Sequence, residues 1–68
     1  MKLNKFEEEI FENIKDGVSD TCQLKAFTQF SAEEIKEILI KLERLDLIAL
    51  ERKFDRYYNE DYWEARIK

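Results

Sequence analysis

The chain has no histidine and no proline, and only one glycine, one cysteine and one tryptophan among its 68 residues. Each shortage removes a class of explanation. With no histidine and with Cys22 alone, there is no plausible zinc or iron-sulfur ligand set and no internal disulfide. The expectation is no metal and a reducing compartment. No glycine-rich phosphate loop is present, Cys22 has no base partner, and so short a chain leaves little room for a substrate pocket. We therefore expect no catalytic residue, no enzyme activity and no cofactor. Charges break the apolar residues of positions 1–15 every two or three residues, which excludes a signal-peptide core or a membrane span there. The expected location is cytoplasmic. Without proline, low-complexity stretches or repeats, nothing resembles a linker, so residues 1–68 are expected to form a single domain.

What is present is charge and helical periodicity. Twelve basic and sixteen acidic side chains give a net charge of -4, which argues against a general polyanion binder but leaves sequence-specific binding open. A chain of this length buries only roughly 60% of the surface its unfolded form exposes, so a small core and marginal stability are expected.

Ser31 followed by Glu34 forms a capping-box pattern, which predicts a helix from about residue 31. Ile35, Ile38, Leu39, Leu42 and Leu45 then recur at helical spacing, with Glu33, Lys36, Glu37, Lys41 and Arg44 on the opposite side. Ahead of this helix, Asp20 caps a shorter one carrying Leu24 and Phe27 inward, and Phe30 wedges into the turn between them. A first helix is predicted from Asn4 and Glu7 as a second cap, through the stripe Phe6, Ile10, Phe11 and Ile14, to the stop at Asp16 and Gly17. Beyond Asp46 the period changes to two. Ile48, Leu50 and Phe54 alternate with Glu51 and Lys53, and Trp63, Ala65 and Ile67 alternate with Tyr62, Glu64 and Arg66, which predicts an antiparallel hairpin. Its connection, residues 55–60, lacks the glycine of a tight turn, and Asn59 is the residue suited to a left-handed conformation.

Leu24, Phe30, Ser31, Ile35, Leu39, Leu42 and Leu47-Ile48 occupy the places of a pattern that resembles the winged helix-turn-helix family. Gln29 and Asp46 stand where that family often has glycine. Lys25 stands where it often has alanine, with Ala26 one position on as the small residue expected to let the first two helices approach. The resemblance implies an α+β fold, mostly α: three helices followed by a two-stranded β-hairpin wing. It also implies that residues 32–44 form the surface that reads DNA in the major groove, while the wing touches backbone or minor groove.

The exposed side of the predicted third helix is mixed in sign. Pairs such as Glu37 with Lys41 fit a solvated face, whereas Ile40, expected to project from that face, suits contact with a thymine methyl or a partner's groove. Residues 51–68 balance Arg52, Lys53, Arg56, Arg66 and Lys68 against Glu51, Asp55, Glu60, Asp61 and Glu64, so the excess acid lies in residues 1–50. The segment from Arg52 to Tyr58 interleaves cations with aromatic rings, a composition that binds phosphates and stacks on bases. The competing reading is that Phe54 and one tyrosine cap the core while Arg52, Lys53 and Arg56 keep the strand edge soluble. Trp63 is expected in the core.

Two functions follow as expectations. One is a small regulator that binds double-stranded DNA, with residues 31–45 in the major groove and 50–64 as the wing. Its candidate contacts are Ala32, Glu33, Lys36, Glu37, Ile40, Lys41, Arg44, Arg52, Lys53, Arg56, Tyr57 and Tyr58. The other is a protein-interaction module of the same fold that binds a transcription-related protein or self-associates without DNA. A homodimer through Phe6, Ile10, Phe11 and Ile14 is compatible with either.

Overall fold

The computed structural model describes residues 3–68 as α1 Lys5–Lys15, α2 Thr21–Phe27, α3 Ala32–Arg44, β1 Ile48–Asp55 and β2 Glu60–Ile67. Three helices thus precede a two-stranded antiparallel sheet, a mixed α+β architecture with nearly half of the chain helical. No helix among the described residues is long and apolar enough to cross a membrane.

All three helices start on side-chain caps. The Asn4 side chain accepts the Glu7 backbone N–H at 2.8 Å while the Glu7 carboxylate accepts the Asn4 N–H at 2.9 Å. Ser31 and Glu34 repeat this reciprocal pair at 3.2 and 3.0 Å, and Asp20 accepts the Gln23 N–H at 2.7 Å. These contacts satisfy backbone donors that no helical carbonyl can reach.

The ends of α1 and α3 share one device. After α1, the Gly17 N–H donates to the Ile14 carbonyl and the Val18 N–H to that of Asn13. After α3, Asp46 donates to Glu43 and Leu47 to Leu42 in the same pattern. Both are Schellman ends, which need one residue in the left-handed region: Gly17 at φ 98° and Asp46 at φ 63°. Asp46 supplies that conformation without glycine, and its carboxylate pairs with the Lys68 ammonium.

The core is built from Ile10, Ile14, Leu24, Ile35, Leu39, Leu42, Ile48 and Ala65. α3 lies at its centre and contacts α1, α2 and β1. The hairpin pairs Ile48 with Ile67 at one end and Asp55 with Glu60 at the other, and Asn59 takes φ 53° in the connecting turn. Ser19 and Asp20, between α1 and α2, flank the free side of β2. The Ala65 N–H donates to the Ser19 carbonyl at 2.7 Å, and Asp20 forms an isolated bridge with Glu64. The buried Thr21 hydroxyl accepts the Trp63 N–H at 3.3 Å, so the start of α2 is tied to the same strand.

Several side chains lie elsewhere than their periodicity indicates. Phe27 is 70% exposed, because Thr21 and Leu24 already complete the buried stripe of a seven-residue helix that ends at Phe27 itself. Ala26 is exposed and so is not the small residue between the first two helices. Ile10 and Ile14 are buried in the core, which removes them from any dimer face; of that stripe, Phe6 is exposed and Phe11 is half-buried beneath the Lys15 ammonium. Ile40 is half-buried on the flank of α3 rather than at the crest of its exposed face. Ile67 is 43% exposed at the end of β2, although it shares a face with buried Ala65.

Candidate nucleic-acid interface

Trp63 is the point where helix and hairpin surfaces meet. It stands opposite Arg52 in the β register, half-buried against the core. The Arg52 guanidinium lies 4.9 Å from its ring centroid, and the Lys36 ammonium, from α3, lies 5.4 Å from the same centroid. Both distances are within cation–π range, so the indole draws one cation from each element to itself. Arg44 at the end of α3 and Arg56 in the hairpin turn are exposed.

Two of the expected phosphate contacts are occupied within the protein. Lys41 holds the Glu7 carboxylate at 2.6 Å, linking α3 to α1. Glu7 is only 5% exposed, yet its pKa falls below the ordinary value of 4.5, first because it accepts a hydrogen bond from Lys41 and then because of its bond with Asn4. Lys53 lies 3.2 Å from Glu64 and 3.8 Å from Glu51, two carboxylates that face each other directly across the hairpin. Like charges in that position repel. Lys53 bridges them, and its pKa is raised above 10.5, chiefly by the hydrogen bond to Glu64. Arg66 approaches the same cluster, 3.9 Å from Glu51.

At the start of α3 the exposed charges are acidic. Glu33 and Glu37 are exposed, Glu34 is exposed and closes the cap, and Ala32 is half-buried. Hydrogen bonds with Ser31 hold the Glu34 pKa below 4.5. These carboxylates suit the helix dipole but repel phosphates.

The hairpin tip displays its rings. Phe54, Tyr57 and Tyr58 are 54%, 85% and 69% exposed, so none of the three caps the core. One Asp55 carboxylate oxygen accepts both the Tyr57 N–H at 2.8 Å and the Tyr58 N–H at 3.3 Å, which braces the turn, and the two tyrosine rings meet edge to face at 4.9 Å. The tip is thus an ordered aromatic surface beside Arg56.

Lys25 was not among the expected contacts. On α2 it lines a shallow concavity of about 200 Å³ with Ala32 and Lys36, adding a cation beside the start of α3; Glu60 and Asp61 line the far side. No spacing in the sequence couples Lys25 to Lys36, since their proximity depends on how α2 crosses α3. The tie from Glu7 to Lys41 and the role of Ser19 were equally hidden, for each depends on a contact between distant elements. Comparison with protein-family models, curated proteins and solved structures finds no match to this chain.

Proposed function

We propose that this protein is a small winged helix-turn-helix module that binds double-stranded DNA and regulates transcription. The observation that carries this reading is the meeting of Lys36 from α3 and Arg52 from β1 on Trp63, which brings a helix cation and a hairpin cation to one side chain. The order of three helices then a hairpin, with the segment between α1 and α2 added to β2, supports the winged-helix reading. In this arrangement Lys25, Lys36, Arg44, Arg52 and Arg56 hold phosphates. Tyr57 and Tyr58 lie on sugar or base faces at the hairpin tip, and exposed residues of α3 read base edges. Lys41 and Lys53 serve mainly the fold.

The test is retention of random-sequence DNA duplexes at about 50 and 200 mM salt, a range over which phosphate contacts weaken strongly, followed by sequencing of the bound fraction. Enrichment of one motif is the expected result; no retention at the lower salt sinks the proposal.

A second reading, a protein-interaction module that works without DNA, is favoured by one observation. The end of α3 that would enter the groove carries Glu33, Glu34 and Glu37, all exposed.

A further inference from the structure

Away from the proposed DNA surface, three phenylalanines gather where the start of α1 meets the turn between α2 and α3. Phe6 is 62% and Phe27 70% exposed, and the Phe6 and Phe30 rings meet edge to face at 5.5 Å. Together with Glu9, Thr28, Gln29 and Glu34 they line an open concavity of about 570 Å³. That volume falls within the range of roughly 300–1,000 Å³ found for ligand pockets. In a chain with 41% charged residues, exposing Phe6 and Phe27 beside the half-buried Phe30 leaves apolar surface in water that a purely structural role does not require.

The walls are ordered before any partner arrives. The Thr28 hydroxyl donates to the Leu24 carbonyl at 2.6 Å and accepts the Phe30 N–H at 3.4 Å, which braces the turn carrying Phe27 and Phe30. The Ser31 N–H, 3.0 Å from Glu34, fixes one carboxylate on the rim. A surface whose side chains are already placed loses less freedom on binding.

Charge decides what fits. Among the described residues the lining contains two carboxylates, Glu9 and Glu34, and no cation. It belongs to the part of the chain, residues 1–50, that holds seven basic against eleven acidic side chains. The chain's own exposed aromatic segment, the hairpin tip, places Asp55 and Glu60 around Arg56 and so matches this rim poorly. We infer that the Phe6, Phe27 and Phe30 concavity docks a lysine- or arginine-rich segment of another protein, seating one aliphatic or aromatic anchor between the rings while Glu9 and Glu34 receive its cations. Of its lining residues only Glu34, at the start of α3, also borders the proposed DNA surface, while Phe6, Glu9, Phe27 and Phe30 lie outside it; the inference therefore does not depend on DNA binding, and it gives the protein-interaction reading a specific site.

The test pans a displayed random-peptide library against the full chain, with counter-selection on the Phe27→Ala variant. Phe27 is 70% exposed, so the variant is expected to keep the wild-type melting curve. Enriched peptides are expected to combine lysine or arginine with a leucine, phenylalanine or tryptophan anchor. The consensus peptide should bind about tenfold more weakly to Phe27→Ala and more weakly to Glu9→Gln, as expected when a central anchor is truncated or a complementary charge removed. Enrichment of neutral or acidic peptides, equal binding to Phe27→Ala, or no enrichment at all overturns the inference. Self-association that disappears in Phe27→Ala also overturns it, because the occupant is then a second copy. DNA retention by Phe27→Ala is expected to match wild type, which separates failure here from failure of the DNA reading.

Discussion

Glu7 and Lys41 join α1 to α3 through a 2.6 Å ion pair in which the carboxylate is almost fully buried and the ammonium half-exposed. The same carboxylate closes the cap of α1 by accepting the Asn4 N–H, so one side chain both starts a helix and ties it to another. Removing either partner affects two elements at once.

Glu7→Gln is expected to lower the melting temperature at neutral pH, and the pH dependence carries a definite sign. The folded carboxyl titrates below its ordinary 4.5, so folding favours the charged form. Its contribution is complete above 4.5 and is lost as pH falls through the lower folded value; Glu34 acts in the same direction. Thermal melts from pH 7 down to about 2.5 should therefore converge for wild type and Glu7→Gln at the acidic end. A constant gap at every pH would assign the loss to packing instead.

Arg52→Ala and Lys53→Ala separate DNA contact from fold support. Arg52→Ala is expected to weaken DNA binding at all sequences and to reduce the slope of log affinity against log salt by about one, the amount for one phosphate contact. Lys53→Ala is expected to act mainly on stability, by leaving Glu51 and Glu64 facing each other without their bridge. Fluorescence anisotropy with labelled duplex at several salt concentrations reads the first, and thermal unfolding the second. An unchanged slope for Arg52→Ala counts against the assigned role of the hairpin.

Leu39→Ala removes a fully buried side chain from the middle of α3. The expected cost is about 2–5 kcal/mol, enough to unfold much of so small a domain. Urea titration followed by circular dichroism checks it; a loss below about 1 kcal/mol would mean that the core collapses around the gap.

Asp46→Gly moves the other way. A left-handed conformation costs an ordinary residue about 1–2 kcal/mol and glycine almost nothing. The exposed pair with Lys68 that the change removes contributes at most about 1 kcal/mol. A small net gain in urea midpoint is expected; a loss would mean that the Lys68 pair anchors the C-terminal end of β2 more firmly than an exposed pair does.

The elements were legible because their signals are local. Asn4 with Glu7, Asp20, and Ser31 with Glu34 each announce a helix start within four residues, and backbone donors at a helix end bind the nearest suitable oxygen whatever lies further away. The stop at Gly17, the left-handed Asn59 and the alternation of Ile48 and Leu50 with Glu51 are equally short-range, so the sequence by itself determined three helices, a hairpin and most of the core. Tertiary structure decided the charges and the edges. Lys41 and Lys53 look like any surface lysines until folding brings Glu7 and Glu64 to them, and Lys36 and Arg52 reach the same ring only because α3 and the hairpin meet at Trp63. Phe27 keeps helical phase with Leu24 but emerges because α2 ends there, and Ser19 becomes a strand partner only once β2 arrives. A periodic pattern specifies which face of an element turns inward; how far the neighbouring element extends over that face, and which charge it carries there, is settled by the packing of segments far apart in the chain.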